Sequence, residues 1–358
     1  MKIKYLTFLF GMIIFSSACS VNQLTEIGFA ESIGTYKLSK SIFSSPIATK
    51  NNNVVIGCHD KSIYFFNSDG KLLNNHNTGG WVHASPSVLS DGTVAVGSYD
   101  GYIYFFTRNG QLKNKFNPES GSLFTSIIEL PDGKLVFGSN KKGIVFYNPH
   151  DSITISYPVK KWVHGTPGII DKDKVVIGSN DKKVYILDSD ANLINSFTTK
   201  GWIMHSGSTP VKNNNFAIGS YDRSLYIINK DGDQISKFKT KGRIHATPIA
   251  LSNHKIVFGS FDKFIYFLKH DGSLFKKFKT QKKVVSSPVT LSDGTVVIGS
   301  YDKNLYFFSS EAKFLGTYKT KGKIFSTPIV LSNDTIVVCT TNGYVEFIKV
   351  KSTLAKKI

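Results

Sequence analysis

Residues 244–280 read IHATPIALSNHKIVFGSFDKFIYFLKHDGSLFKKFKT, in which four short apolar runs are separated by polar turns. The runs are rich in the β-branched and aromatic residues that strands favour. The turns contain Asn or Asp, and Asp271-Gly272 is typical of a tight hairpin. We therefore predict four antiparallel strands, at 244–251, 255–260, 264–269 and 273–280.

The string Gly-Ser-x-Asp, present here at 259–262, recurs along the chain at intervals of 40 or 41 residues. Complete copies begin at Gly97, Gly219, Gly259 and Gly299, looser copies at Gly57, Gly138 and Gly178, and a degenerate copy at Cys339. Four strands in each period of ~40 residues are the signature of a β-propeller blade. The eight copies predict an all-β, eight-bladed propeller of four-stranded antiparallel blades.

The two ends of the chain predict how the ring closes. The last period has strands at 324–330, 335–340 and 344–350, and it lacks a fourth. The sequence IGTYK at 33–37 matches LGTYK at 315–319, which is a fourth strand. We expect the N-terminal strand to complete the last blade, because closure removes unpaired strand edges. The predicted propeller, a single domain, covers residues 32–350.

The repeats resemble the PQQ-like propeller family, which includes quinoprotein dehydrogenases and the propeller lipoprotein of the outer-membrane barrel-assembly machine. The resemblance rests on a Ser/Thr-Pro pair in six of the repeats, with Pro eleven residues before the first residue of the motif. The pairs are Ser45-Pro46, Ser85-Pro86, Thr166-Pro167, Thr247-Pro248, Ser287-Pro288 and Thr327-Pro328. One departure is systematic: where the family often has Trp in the outer strand, this chain has Phe116, Phe197, Phe238, Phe278 and Tyr318. The resemblance implies the fold and leaves the activity open, because one scaffold serves many functions.

The N-terminus predicts export. Lys2 and Lys4 precede an apolar run at 5–15, and Ser16-Ser17-Ala18 precedes Cys19, so residues 1–18 fit a signal peptide. The small residues before Cys19 resemble a bacterial lipobox, which would make Cys19 a lipidation site and residues 19–31 a tether. The alternative is an ordinary signal peptide cut after Ala18. Residues 351–358 form a basic tail.

The net charge favours polyanionic partners. It is +19 for the whole chain, and +17 once Lys2 and Lys4 leave with residues 1–18. Because export argues against nucleic acid, we expect envelope proteins or anionic envelope polymers as partners, at the periplasm or cell surface, and a monomeric propeller. No cofactor is expected.

A ring of cations is the first candidate site. The turns between second and third strands and the links between blades share one face of a propeller. The turns contribute Lys61, Lys182, Arg223, Lys263 and Lys303, and the links add Lys160. The link lysines proposed to bind a partner are Lys161, Lys200, Lys241, Lys282, Lys283 and Lys321. The alternative is a merely solvated polar face, partly neutralised by the turn aspartates.

The channel mouth is the second candidate site. Four inner strands begin with an aromatic or basic residue followed by histidine, at Trp81 and His83, Trp162 and His164, Trp202 and His205, and Arg243 and His245. These eight residues could line a ligand pocket on the axis. The alternative is packing between blades, since Phe43, Phe124, Val285 and Phe325 take the His position elsewhere. We expect no metal site, because imidazoles spread around so wide a ring would not meet at one zinc ion.

Other repeated residues have structural interpretations. The turn aspartates, among them Asp100 and Asp262, are expected to cap hairpins, and the motif glycine to permit close approach of sheets. Cys58 and Cys339 fall in neighbouring blades. A disulfide would suit an oxidising compartment, but their positions on different sheets and out of register argue against one.

No catalytic motif is present, and the short connections leave little room for the inserted loops on which propeller enzymes build sites. The adjacent cysteine pair and the long inserts associated with many quinoprotein dehydrogenases are also missing from the sequence. The first hypothesis is therefore a non-catalytic scaffold of the bacterial envelope, acting in envelope protein assembly. Two alternatives remain: a small-ligand or glycan binder at the channel mouth, and a PQQ-dependent dehydrogenase.

Overall fold

The computed structural model describes residues 29–170 and 173–351, and it is an all-β, eight-bladed propeller. Each blade is one four-stranded antiparallel sheet, and the strand order within each sheet is sequential except in the last. Within the described ranges the only helical segment is a 3-10 turn at Lys212–Asn214. No described helix is long and apolar enough to cross a membrane. The proposed signal peptide and Cys19 lie outside the described residues, as does the tail from residue 352.

The strands of the eight blades have the following bounds. Blade one contains β2 (Ile47–Ala48), β3 (Val54–Gly57), β4 (Ser62–Phe66) and β5 (Leu72–Asn77). Blade two contains β6 (Ser87–Val88), β7 (Val94–Gly97), β8 (Ile103–Phe106) and β9 (Leu112–Phe116). Blade three contains β10 (Ile128–Glu129), β11 (Leu135–Gly138), β12 (Ile144–Tyr147) and β13 (Thr154–Tyr157). Blade four contains β14 (Gly168–Ile170), β15 (Lys174–Gly178), β16 (Lys183–Leu187) and β17 (Leu193–Thr198). Blade five contains β18 (Thr209–Val211), β19 (Asn215–Gly219), β20 (Ser224–Ile228) and β21 (Gln234–Lys239). Blade six contains β22 (Ile249–Ala250), β23 (Ile256–Gly259), β24 (Phe264–Leu268) and β25 (Leu274–Lys279). Blade seven contains β26 (Val289–Thr290), β27 (Val296–Gly299), β28 (Asn304–Phe308) and β29 (Phe314–Lys319). Blade eight contains β30 (Ile329–Val330), β31 (Thr335–Cys339), β32 (Tyr344–Val350) and β1 (Ala30–Lys37).

The N-terminal strand closes the ring as predicted. β1 pairs with β32 in antiparallel register, from Ala30 opposite Val350 to Lys37 opposite Tyr344. The strand begins at Ala30 rather than at residue 32, and a bulge interrupts the register between Ser32 and Gly34. The last blade therefore joins the two ends of the chain: its outer strand comes from the N-terminal end and its other three strands from the C-terminal end.

The inner strands are shorter than predicted. The sequence predicts one strand at 244–251, but only Ile249–Ala250 pairs with β23. The reason is that the preceding residues bond sideways: the Thr247 amide donates to Ser287 Oγ of the next blade at 2.9 Å. Pro248 has no N–H to give to its own sheet. The same sideways bond joins Ser45 to Ser85 at 2.9 Å, so hydroxyls link adjacent blades around the channel.

The core lies between neighbouring blades. The second strands are buried except at the first residues of β15 and β19, and clusters of aliphatic and aromatic side chains from two adjacent sheets fill the space between them. A Cβ on Gly259 would lie 2.2 Å from Val284 Cγ1, so the motif glycine permits the close approach that the sequence predicts. Cys58 and Cys339 are buried in one shared cluster, and both thiols are free.

The motif aspartates cap their turns, and they also hold the links. Asp262 Oδ1 accepts from the Phe264 amide at 3.2 Å, and Oδ2 accepts from the Tyr266 hydroxyl and the Lys241 amide, each at 2.8 Å. Tyrosine four residues after the aspartate repeats this contact in six blades, including Tyr104 with Asp100 at 2.7 Å. The aspartates are therefore structural, and the tyrosine and link contacts are additions that the sequence pattern does not predict.

Blade eight exchanges these roles. Asn342 occupies the aspartate position, and Glu346 stands where the other blades have tyrosine. Glu346 Oε1 accepts from the Lys321 amide at 2.8 Å. The carboxylate is fully buried, and burial raises its pKa. The link into the closing blade is thus held by a carboxylate placed on the strand instead of in the turn.

Candidate functional site

One face of the propeller carries a ring of link residues around the axis. In seven blades the variable residue of Gly-Ser-x-Asp donates its amide to the carbonyl of a link residue, as Tyr221 does to Trp202 at 2.9 Å. In each of these seven blades the contact fixes an equivalent position just before the inner strand. We call these positions the mouth ring: Ser41, Trp81, Trp162, Trp202, Arg243, Lys283 and Lys323.

All three tryptophans of the chain belong to the mouth ring, and each is about half exposed: Trp81 50%, Trp162 50% and Trp202 48%. Each indole stacks against another ring. Trp81 stacks on His59 at 4.9 Å between centroids, Trp162 on Phe124 at 5.5 Å and Trp202 on Tyr221 at 6.5 Å. One side of each indole is therefore supported, and half of its surface stays accessible to solvent.

Three neighbouring positions of the mouth ring form a cationic arc. Arg243, Lys283 and Lys323 come from blades six, seven and eight, and none forms an ion pair with a described residue. Burial, then the charges of Lys323 and Arg243, lower the pKa of Lys283. Aromatic rings support this arc: Arg243 lies over Tyr221 at 5.1 Å, and Lys283 over Phe261 at 4.6 Å. The arc therefore concentrates positive charge that no carboxylate in the described parts of the chain neutralises.

Outside the mouth ring lies a second set of cations, which we call the crown. It comprises the exposed link lysines Lys160, Lys161, Lys200, Lys241, Lys282 and Lys321, and the turn cations Lys61, Lys182, Arg223, Lys263 and Lys303. The five turn cations all have φ between 71° and 76°. Of the lysines proposed to bind a partner, Lys283 alone belongs to the mouth ring, where it is half-buried.

Beneath the mouth ring, eight side chains meet on the axis and form a plug: Phe43, His83, Phe124, His164, His205, His245, Val285 and Phe325. The expectation that the imidazoles stay spread around a wide ring is wrong. The His205 ring lies 5.3 Å from His83, 5.7 Å from His164 and 4.7 Å from His245, between centroids. His205 reaches the centre with φ at +61°, after one residue, Met204, that the other inner strands lack.

The plug is uncharged at neutral pH. Burial lowers the pKa of His83 to about 3, of His164 to about 4 and of His245 to about 3, and it lowers the pKa of His205 well below its usual value. Neighbouring imidazoles add to the effect at His83 and His205. His59 Nε2 lies 3.1 Å from His83 Nδ1, and His164 Nε2 has no hydrogen-bond partner among the described residues.

The plug separates the predicted pocket residues into two groups. A cavity of about 510 Å³ lies on the axis, lined by the plug histidines and by inner-strand hydroxyls such as Ser45, Ser85 and Ser287. The three tryptophans and Arg243 do not line it. They stand two or three residues earlier on their strands, on the outer side of the plug. In residues 29–170 and 173–351, no group of three or more His, Cys, Asp or Glu side chains is arranged to hold a metal ion.

Sequence reasoning missed Lys323 and the aromatic residues at the variable motif position. Lys323 stands two residues before Phe325, as Trp81 does before His83, so the inner-strand alignment contained the signal. Tyr99 and Phe261 stand inside a turn motif, at a position whose residue type varies from blade to blade, so the pattern gives no signal for them.

Neither a family model nor a curated protein matches the sequence. The structure is similar to that of BamB from Moraxella catarrhalis. The TM-score is 0.75, the match covers 89% of this chain and 99% of that chain, and the sequence identity is 14%. At this identity the likeness to BamB concerns the fold alone, and the residues of the mouth ring and crown have to be argued from this chain.

Proposed function

We propose that this protein is an exported, lipid-anchored scaffold of the bacterial envelope that docks acidic surfaces of envelope proteins on its crown. The N-terminal pattern supports the export and anchoring steps: a basic start, an apolar run at 5–15 and small residues before Cys19. Lipidation at Cys19 would tether the propeller to a membrane through the residues before β1. The protein acts as a monomeric ring without a cofactor.

The turn cations carry this proposal. Their backbone is left-handed, a conformation that costs a side-chain-bearing residue about 1–2 kcal/mol and costs glycine little. Gly101 and Gly343 occupy the same kind of turn in blades two and eight, at φ of 88°. Five other blades place Lys or Arg there instead. An exposed cation kept at a strained position is what a binding face for acidic partners requires.

The state of the other polar groups supports a binding function over a catalytic one. The repeated aspartates and tyrosines hydrogen-bond to each other, and the aspartates also bond to the links. These side chains therefore stabilise the fold and are not free to act on a substrate. The connections between strands are short, so the face is a rigid ring of turns. The fold that this chain shares with BamB, and the resemblance of its repeats to a family that includes an assembly-machine lipoprotein, both fit an envelope scaffold.

The test is cross-linking in intact cells, followed by purification of the tagged full-length protein and mass spectrometry. We expect an envelope protein at near-stoichiometric yield. The variant Lys241→Ala/Lys282→Ala/Lys321→Ala should recover at least tenfold less of it. High salt should also release the partner, because exposed charges are screened within about 8–10 Å.

A matched control removes the same charge elsewhere. Lys269, Lys276 and Lys313 are exposed on or beside the outer strands of blades six and seven, away from the crown. The corresponding triple alanine variant should recover the partner as the wild type does. Equal recovery by the crown variant and the wild type would refute docking on the crown.

A further inference from the structure

The mouth ring differs from the crown in chemistry. The crown offers charge alone, whereas the mouth ring offers three half-exposed indoles on one arc and three cations on the other. Large exposed aromatic side chains mark interaction sites, and tryptophan dominates such sites energetically. A partner for this ring must present both flat apolar surfaces and negative charge.

Two of the three indoles, those of Trp81 and Trp162, form part of a continuous aromatic track. Ring contacts run from His59 through Trp81, Tyr99 and Phe124 to Trp162, with centroid distances of 4.9, 5.9, 4.6 and 5.5 Å. A track of supported rings is a rigid platform, since each indole is held by a neighbour on one side. Such a platform suits a chain of flat units that stack in succession.

The plug makes the ring shallow. Phe124, His83 and His205 fill the axis directly beneath it, so no deep pocket opens between the indoles for the large side-chain anchors that protein partners insert. Stacking on open ring faces is the remaining mode of contact. Pyranose rings present a flat face of C–H groups that stacks on indole, and uronic acids add one carboxylate to each ring.

The cationic arc supplies the complementary charge. Arg243, Lys283 and Lys323 have no carboxylate partner in the described structure. Burial lowers the pKa of Lys283, and repulsion by Lys323 and Arg243 lowers it further. A carboxylate bound there would relieve this repulsion. Arg also gives bidentate hydrogen bonds to carboxylates.

We propose that the mouth ring binds an acidic saccharide chain, with sugar rings stacked on the tryptophans and carboxylates held by Arg243, Lys283 and Lys323. This site is separate from the crown and goes beyond the scaffold function. The two can be distinguished, since substitutions in the mouth ring leave Lys241, Lys282 and Lys321 unchanged.

Intrinsic tryptophan fluorescence is a specific probe of this site, because the only three tryptophans of the chain all lie there. We would titrate the full-length protein with hexagalacturonate and measure tryptophan emission and its quenching by acrylamide. Binding should protect the indoles from acrylamide at least twofold at saturation. Maltohexaose, which has the rings without the charge, should bind at least tenfold more weakly.

The variant Arg243→Ala/Lys283→Ala/Lys323→Ala should lower the affinity at least tenfold, and the control variant at Lys269, Lys276 and Lys313 less than twofold. Should the triple variant fold poorly, Lys323→Ala alone should lower the affinity about threefold. Far-UV circular dichroism and urea unfolding verify that each variant is folded.

Polyglutamate distinguishes sugar recognition from capture of any polyanion. It should bind the crown without protecting the indoles. Equal protection by polyglutamate would make the mouth ring a site for acidic polypeptide and overturn the proposal. Absence of protection by hexagalacturonate would overturn it as well, whatever the crown variant does to partner recovery.

Discussion

Replacing Asp262 with alanine should destabilise the propeller far more than its position in a surface turn suggests. The carboxylate accepts three hydrogen bonds, from the Phe264 and Lys241 amides and the Tyr266 hydroxyl. The Lys241 bond fastens the link from blade five to the turn of blade six. Loss of the carboxylate therefore releases a contact between blades as well as a turn.

The magnitude follows from these bonds. A hydrogen bond to a charged group contributes about 1.5–3 kcal/mol, and we take about 1 kcal/mol for each because the aspartate is partly exposed to solvent. The hydroxyl of Tyr266, a residue only 4% exposed, also loses its acceptor. Asp262→Ala should therefore lower the free energy of unfolding by about 3–4 kcal/mol. In urea this is a midpoint shift of about 1 M.

The assay is urea unfolding followed by far-UV circular dichroism, with Asp271→Ala as the matched control. Asp271 lies in another turn of the same blade, is exposed, and accepts from the Ser273 amide at 2.8 Å. Its substitution should cause a clearly smaller shift. If the two variants unfold at the same urea concentration, the contacts of Asp262 make no net contribution to stability. That result would refute the structural role given to the motif aspartate.

Three further perturbations test other parts of the structure. The pKa of His164 is about 4 in the folded protein, below the ordinary 6.5, so the unfolded chain takes up protons first as the pH falls. The free energy of unfolding should therefore fall between pH 6.5 and about 4. His164→Phe introduces the residue that blade eight has at the equivalent position, Phe325. Urea titrations should show that it reduces the dependence of the free energy of unfolding on pH by up to about 1.4 kcal/mol per pH unit. Gly299→Ala places a Cβ 2.4 Å from Ile324 Cγ2 and should lower the free energy of unfolding by about 1–3 kcal/mol. In a double-mutant cycle, Gly299→Ala should cost less stability when Ile324→Ala is also present. If the effects of the two substitutions are strictly additive, the proposed clash is contradicted. Lys303→Gly should raise the unfolding midpoint, since relief of about 1–2 kcal/mol of left-handed strain exceeds the entropy that glycine adds to the unfolded chain. The same change should weaken partner recovery, and an unchanged midpoint would mean that the turn is unstrained.

The sequence predicted the blades well because their determinants are local. The motif beginning at Gly259 repeats at a fixed period, and the match between residues 33–37 and 315–319 identified the closing strand. Strand formation and tight turns depend on neighbouring residues, so a periodic pattern contains the information. The free thiol at Cys58 agrees with the register argument made from sequence.

The inner strands were predicted poorly because their partners lie in other blades. Thr247 bonds to Ser287, which is 40 residues away and reads in sequence as an ordinary strand residue. The sequence pattern of 244–251 could predict only hydrogen bonding within one blade. Because Thr247 bonds to the next blade, the paired strand is shorter than the one that local propensity favours.

By itself, the sequence determined the number of blades, the four-stranded repeat, the closing strand and the structural use of the motif glycine and aspartate. Only the tertiary structure decided what meets on the axis. Eight inner strands converge there, so His83, His164 and His205 fill a plug, while Trp81 and Trp162, two residues earlier, remain outside it. The distance across a closed ring depends on the number and tilt of all the blades, and no local pattern of residues records that distance.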